Sequence, residues 1–179
     1  YNITVDCNDL DFNDYGTATI IVNASKAYHY NDSKSFDITI KGETDLTITP
    51  IEGTSFYSQQ SFNISVYFND TARDIGINQS SVFVYINDSL YTPYGGDGWW
   101  YDCNNGTYDI LLNASDEAFY NLDINKYGEF EVLVSLNRTN YFNGTDTIPI
   151  TITGNTTAEI LSPPDKKHFV TDSVFNITF

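Results

Sequence analysis

Phe62, Ile64, Val66 and Phe68 alternate with Asn63, Ser65 and Tyr67, and this two-residue period recurs along the chain. Successive side chains of a strand point to opposite faces, so the alternation builds a half-buried strand and cannot line one face of a helix. Between residues 43 and 154 no stretch keeps a helical period for more than about one turn. Leu46-Thr-Ile48 opens this region, and Pro50 closes its edge strand because proline donates no ladder hydrogen bond. Further strands are expected at Ser81 to Ile86, around Leu90 and Tyr91, at Trp99 to Cys103, Thr107 to Leu112, Glu129 to Leu136 and Thr147 to Thr153. They are separated by the turn at Asn87-Asp-Ser, the loop Gly95-Gly-Asp-Gly98, and the tight turn Asn104-Asn-Gly106, which needs positive φ. Seven or eight short strands in about 110 residues predict an all-β, antiparallel two-sheet sandwich.

The chain also repeats itself. Asp11-Phe-Asn13-Asp-Tyr15-Gly16 returns as Asp123-Ile-Asn125-Lys-Tyr127-Gly128, Asn31-Asp-Ser as Asn143-Gly-Thr, and Gly42 as Gly154, each 112 residues on. Ser61-Phe-Asn-Ile-Ser65 returns as Val174-Phe-Asn-Ile-Thr178 at 113, and Tyr1-Asn-Ile-Thr-Val5 resembles Tyr108-Asp-Ile-Leu-Leu112 at 107. A fixed period of this length marks tandem modules. Its phase makes residues 1–42 the C-terminal part of one module, 43–154 a complete one and 155–179 the N-terminal part of the next. The linkers Gly42-Glu-Thr-Asp45 and Gly154-Asn-Thr-Thr157 are short, so successive modules are expected to hold a restricted mutual angle. With no methionine, and Tyr1 in what reads as mid-strand, the sequence reads as a mature segment or a window of a longer polypeptide.

Thirteen Asn-x-Ser/Thr triplets punctuate the modules, at Asn2, Asn23, Asn31, Asn63, Asn69, Asn78, Asn87, Asn105, Asn113, Asn137, Asn143, Asn155 and Asn176. Scattering the 19 asparagines and 34 serines and threonines at random would give roughly 4. Incidental triplets in a chain rich in these residues are the alternative, but the excess is read as a coat of N-linked glycan. Such triplets accept sugar only on a secreted chain with solvent-facing backbone. Strand parity agrees, because Asn2, Asn63 and Asn176 each stand between apolar residues that face the other way. Asn87 and Asn105 fall in turns, and Asn31, Asn69, Asn143 and Asn155 in loops or a linker.

Composition removes several function classes. A net charge of −16 repels nucleic acid and anionic lipid alike. No run reaches the roughly eighteen apolar residues of a membrane span, and the first residues do not read as a charged region followed by an apolar signal core. Aromatic content of 16% is nonetheless enough for a packed core. Cys7 and Cys103 fit no metal spacing. They are disulfide candidates, joined to each other or each to a cysteine elsewhere.

The residues offer no enzyme. The two histidines are His29 and His168, no Gly-x-Ser-x-Gly elbow occurs, and His29 aligns with Tyr141 in the repeat. No cofactor is expected apart from covalent glycan. Calcium is the metal to weigh, since Asp9-x-Asp11-x-Asn13 imitates the start of a calcium loop. Asp14 stands where that loop needs glycine and no glutamate closes it, so turn closure is the plainer role; Asp70, Asp74, Asp116 and Glu117 are weaker still. Trp99, Trp100 and Tyr101 could form a platform for a sugar ring, but alternate members are expected in the core.

Asp123-x-x-x-Tyr127-Gly128-x-Phe130 and its twin at Asp11 to Gly16 resemble the corner of immunoglobulin-like domains. There, a tyrosine near the start of strand F hydrogen-bonds back across a turn. The paired core cysteines and single core tryptophan of antibody domains are absent, so the resemblance is to the wider immunoglobulin-like group. Acidic tandem modules with many sequons and Tyr-Gly corners resemble the repeat arrays of large N-glycosylated cell-surface and extracellular fibre proteins, above all archaeal ones. That resemblance implies a structural repeat segment of an extracellular filament or surface layer, whose partners are neighbouring copies or continuing repeats. An adhesin stalk or carbohydrate-binding ectodomain is the alternative. Unpaired strand edges in the partial modules would be completed by strands donated from a neighbouring subunit or by a continuous longer chain. Residues 1–42 and 155–179 supply too few residues for a complete module, which favours the continuous chain.

Overall fold

The computed structural model describes residues 15–58, 60–92, 98–114 and 127–154, with residues 2, 4 and 156. Twelve strands and no helix occur among them: β1 (Gly16–Ala24), β2 (Asp32–Ile40), β3 (Thr44–Pro50), β4 (Ser55–Tyr57), β5 (Ser61–Asp70), β6 (Ile75–Gly76), β7 (Ser81–Ile86), β8 (Ser89–Leu90), β9 (Trp100–Asp102), β10 (Thr107–Asn113), β11 (Gly128–Asn137) and β12 (Gly144–Thr153). β1 and β2 form an antiparallel hairpin of their own. One five-stranded sheet runs β3-β5-β10-β9 with β6 attached to β5, and the second runs β4-β12-β11-β7-β8.

Alternation decides what is buried. Phe62, Ile64, Val66 and Phe68 of β5 are fully buried, whereas Asn63 and Ser65 are half-buried and Tyr67 is exposed. Val84 and Ile86 of β7, Val132, Val134 and Leu136 of β11, and Ile150 of β12 join the same apolar cluster from the other sheet. Phe56 of β4 stacks on Phe62 at 4.0 Å between ring centroids, so each sheet contributes one ring to a shared contact. Burial of each such side chain is worth about 1.5–3 kcal/mol.

Two strands, β4 and β6, carry no signal of their own in the sequence. β4 is three residues long and runs parallel to β12, pairing Ser55 with Thr151 and Tyr57 with Thr153; so short a strand shows no alternation. β6 has two residues and exists through its pairing with Asn69 and Asp70. Asn69, expected in a loop, lies within β5. Pro149 sits inside β12 opposite Glu131, whose N–H and C=O both turn away to Asn87, so the proline displaces no ladder bond.

The two long hairpins share one register. Gly16 faces Ile40 as Gly128 faces Ile152, and Ala24 faces Asp32 as Leu136 faces Gly144, with 112 residues between counterparts on both strands. Their loops match as well. The His29 N–H donates to Lys26 O at 3.0 Å and the Tyr141 N–H to Arg138 O at 3.1 Å, while Tyr28 and Asn140 take φ of 66° and 69°. Burial differs. Phe130, Val132, Val134, Ile148, Ile150 and Ile152 are all buried, but their counterparts Ala18, Ile20, Val22, Ile38 and Ile40 are half-buried and Phe36 is 54% exposed.

Candidate functional site: the sequon surface and the hairpin junction

Eleven of the thirteen sequon asparagines lie among the described residues, and none of them is buried. Asn2, Asn23, Asn31, Asn87, Asn105, Asn137 and Asn143 are exposed, and Asn63, Asn69, Asn78 and Asn113 are half-buried. Asn155 and Asn176 fall outside the described residues. Three asparagines use their side-chain oxygen structurally. Asn87 Oδ1 accepts from the Glu131 N–H at 2.8 Å, Asn105 Oδ1 from the Thr107 N–H at 2.9 Å, and Asn78 Oδ1 from the Gly106 N–H. In these bonds Oδ1 is the acceptor, and Nδ2 is the atom that a glycan would carry.

A second site joins the β1–β2 hairpin to the two-sheet body. The Tyr15 ring meets Tyr141 edge-on at 5.2 Å, and the Arg73 guanidinium lies 4.0 Å over the Tyr15 ring centroid. Asn140 Nδ2 donates to Tyr15 O at 3.1 Å, the Gly42 N–H to Asn140 O at 2.9 Å, and the Phe142 N–H to Gly42 O at 3.0 Å. Lys41 reaches over the Phe142 ring at 5.5 Å. Asp70 is wholly buried beneath this junction, where its Oδ1 accepts from the Ala72 and Arg73 N–H groups, closing the turn after β5. Its Oδ2 stands 4.0 Å from Arg73 Nε without a hydrogen bond of normal geometry. Burial first, and then the Asp70 carboxylate, hold the Tyr15 hydroxyl above its ordinary pKa, with Arg73 opposing.

This junction gives the Tyr-Gly pattern long-range partners. Tyr15 packs against the linker glycine Gly42 and against Tyr141, and Tyr127 packs in the same way against Gly154. Asp11 and Asp123, the expected turn-closing partners, lie outside the described residues. The pattern therefore marks where a hairpin base receives its linker.

The remaining candidates scatter. Trp99 and Trp100 pack on the core, Trp99 edge-on to Tyr91 at 5.7 Å and Trp100 tilted against Tyr108 at 6.2 Å, leaving Tyr101 exposed. Cys103 carries a free thiol whose Sγ lies 3.7 Å from Asp109 Oδ2; burial first, and then Asp109, raise its pKa. Cys7 and the calcium candidates Asp9, Asp11 and Asn13 fall outside the described residues. Among those described, no three carboxylate, histidine or cysteine side chains gather as a metal site would require, and an open groove beside the junction is lined by Glu43, Asp45, Thr71, Phe142 and Asn143.

No protein-family profile and no curated protein matches this sequence. Similarity to solved structures is low. An endo-β-1,4-mannanase from Thermotoga petrophila aligns with a TM-score of 0.39 at 11% identity, over 62% of this chain and 20% of that one. A 1.5-MDa bacterial ice-binding adhesin, in a structure concerned with host cell surface retention, aligns at 0.37 and 15%, over 89% and 50%. A Ca2+-stabilized adhesin with which an Antarctic bacterium binds ice aligns at 0.36 and 13%, over 82% and 35%. The chain thus spans half or less of the length of each of these proteins.

Proposed function

We propose that this chain is a structural, non-enzymatic segment of an extracellular filament or cell-surface layer, built of immunoglobulin-like modules and sheathed in N-linked glycan. The observation that carries the reading is the exposure pattern: in an abundance of sequons far above chance, every described asparagine reaches the surface. Support for immunoglobulin-like modules comes from the strand order. The two sheets correspond to strands A-B-E-D and A′-G-F-C-C′ of that fold, with β4 as the strand that switches sheets. The shared hairpin register and the two Tyr-over-Gly contacts support a repeat of about 112 residues with a fixed angle at each linker.

In such a fibre the sandwich is a protease-resistant bead, the pinned linker sets the spacing, and the sugar supplies hydration and bulk. Continuing repeats or neighbouring copies are the partners. Electron cryo-microscopy of the native protein tests this. A fibre with one axial repeat per module and density extending from most sequon asparagines is expected; a bare aromatic patch around Tyr101 on an unsheathed stalk would favour the adhesin or carbohydrate-binding alternative.

A further inference from the structure

We propose that two copies of this chain associate side by side through the outward face of the β4-β12-β11-β7-β8 sheet, leaving the sequon-rich sheet of each on the outside. This deepens the filament reading and rests on it.

The outward faces of the two sheets differ in where sugar can be attached. On the β3-β5-β10-β9 sheet, Asn63, Asn69 and Asn113 occupy outward strand positions, because Phe62, Ile64, Phe68 and Leu112 beside them fill the core. Asn105 stands in the turn between β9 and β10 of the same sheet. The opposite sheet keeps its sequons at the rim: Asn137 is the last residue of β11, Asn143 precedes β12, and Asn87 lies in the turn between β7 and β8. No sequon asparagine stands elsewhere on β4, β7, β8, β11 or β12. Sugar anchored at these positions covers one face and only borders the other.

The face without sequons is apolar. Leu90, Tyr85, Leu133 and Thr147 pair in a single row across four strands, and Phe83 pairs with Ser135 in the next row. Their side chains point away from the core, since Val84, Val132, Val134 and Ile148 next to them in sequence are buried. Leu90 is 52% exposed and Phe83 40%. Apolar side chains exposed side by side mark a contact surface. Neither row holds a charged residue; charge begins with Glu131 and Glu129, towards the start of β11.

That neutrality selects the occupant. With 24 Asp and Glu against 8 Lys and Arg, two copies repel one another wherever their acidic surfaces approach. The sequon-rich sheet turns Asp45 and Asp109 outward, so charge and sugar together keep copies apart there. A basic partner would be drawn to those acids and would find no counter-charge in the two apolar rows. A second copy presenting the same rows meets neither charge nor sugar. Such a self-complementary contact is isologous and closes at two, so it joins fibres in pairs and does not spread further.

The area sets the strength of the contact. Four strands about 4.8 Å apart, over about six residues of each, make a face of roughly 400 Å², or about 800 Å² for the pair. Stable specific complexes bury about 1,200 Å² or more. One module's contact is therefore weak, and a fibre strengthens it by repeating it.

Sedimentation equilibrium of the sugar-bearing chain tests the proposal, at concentrations up to about 1 mM. Leu133→Asn creates the triplet Asn-Val-Ser in the middle of the apolar face, and Thr47→Asn creates Asn-Ile-Thr on the outward side of β3. The two variants thus add one sugar each, on opposite sheets. The wild-type chain is expected to dimerise reversibly and to stop at dimers. Leu133→Asn should weaken the dimer by about tenfold or more, and Thr47→Asn by no more than about twofold. Leu90→Asp, at an exposed position, should weaken it with or without sugar, and it carries the test where the new triplet at 133 stays unoccupied. A wild-type chain that is monomeric at every concentration, a dimer indifferent to Leu90→Asp, or one weakened equally by Thr47→Asn would overturn the proposal. Chains that are monomeric with their sugars and dimeric once these are removed would assign the face to the chain's own glycan, and would overturn it too. Native chains that carry no sugar and still dimerise through this face would sink the sheath reading alone; sugared chains that stay monomeric would sink this proposal alone.

Discussion

Tyr15 and Gly42 are in such close contact that a Cβ on Gly42 would fall 2.5 Å from Tyr15 Cε2, with Tyr141 at 2.6 Å on the other side. Gly42→Ala must therefore push two rings apart. Overpacking of this kind costs about 1–3 kcal/mol. The loss should fall on the junction: hydrogen exchange at the Gly42 and Phe142 amides should quicken, while core amides of β5 and β11 keep their protection.

Counterpart positions in the two hairpins should respond unequally. Ile150→Ala opens a cavity in a complete core and should cost about 2–5 kcal/mol. Ile38→Ala, 112 residues earlier on a half-buried face, should cost less than half as much in the isolated chain. Chemical denaturation followed by tryptophan fluorescence compares them, since Trp99 and Trp100 report on the body.

Tyr108 fixes the inside of the body. Its hydroxyl donates to Ile77 O at 2.7 Å and accepts from the Ser80 N–H at 3.1 Å. Tyr108→Phe strands that buried amide and should cost about 1–3 kcal/mol.

The same residue sets an alkaline limit. Burial is the main cause that raises the Tyr108 pKa above 10.0, and Tyr15 is raised too. Below pH about 10 both folded and unfolded chains keep these protons, so this contribution is fully present. Above it the unfolded chain binds fewer protons, and stability falls as pH rises through the folded values. Melting temperature should decline in that range, and more gently in Tyr108→Phe.

Sequons differ in their structural duty. Asn87 adopts φ of 45° and accepts the Glu131 N–H, so Asn87→Ala should cost about 1–2 kcal/mol even in sugar-free protein. Asn137→Ala, at the exposed end of β11, should stay within about 0.5 kcal/mol. Thermal melts of unglycosylated variants separate this backbone role from that of the glycan.

Alternation made β5, β7 and β10 readable, because each buries one face and wets the other. Turn chemistry did the same for Asn104 and Gly106, both found at positive φ. β4 was hidden because three residues acquire strand character only through β12, almost a hundred positions later. The Tyr-Gly pattern was visible, but its partners were not. Gly42 and Tyr141 come together only when the chain has folded, so no local pattern announces them. The sequons were fully visible, yet only the burial pattern shows that the described ones all reach solvent.

The most direct measurement is site-resolved glycopeptide mass spectrometry of the native protein. Sugar is predicted on most of the eleven described sequon asparagines, with the exposed Asn23, Asn31, Asn137 and Asn143 among them. Unmodified asparagine at the majority of these positions would contradict the sheathed-fibre account.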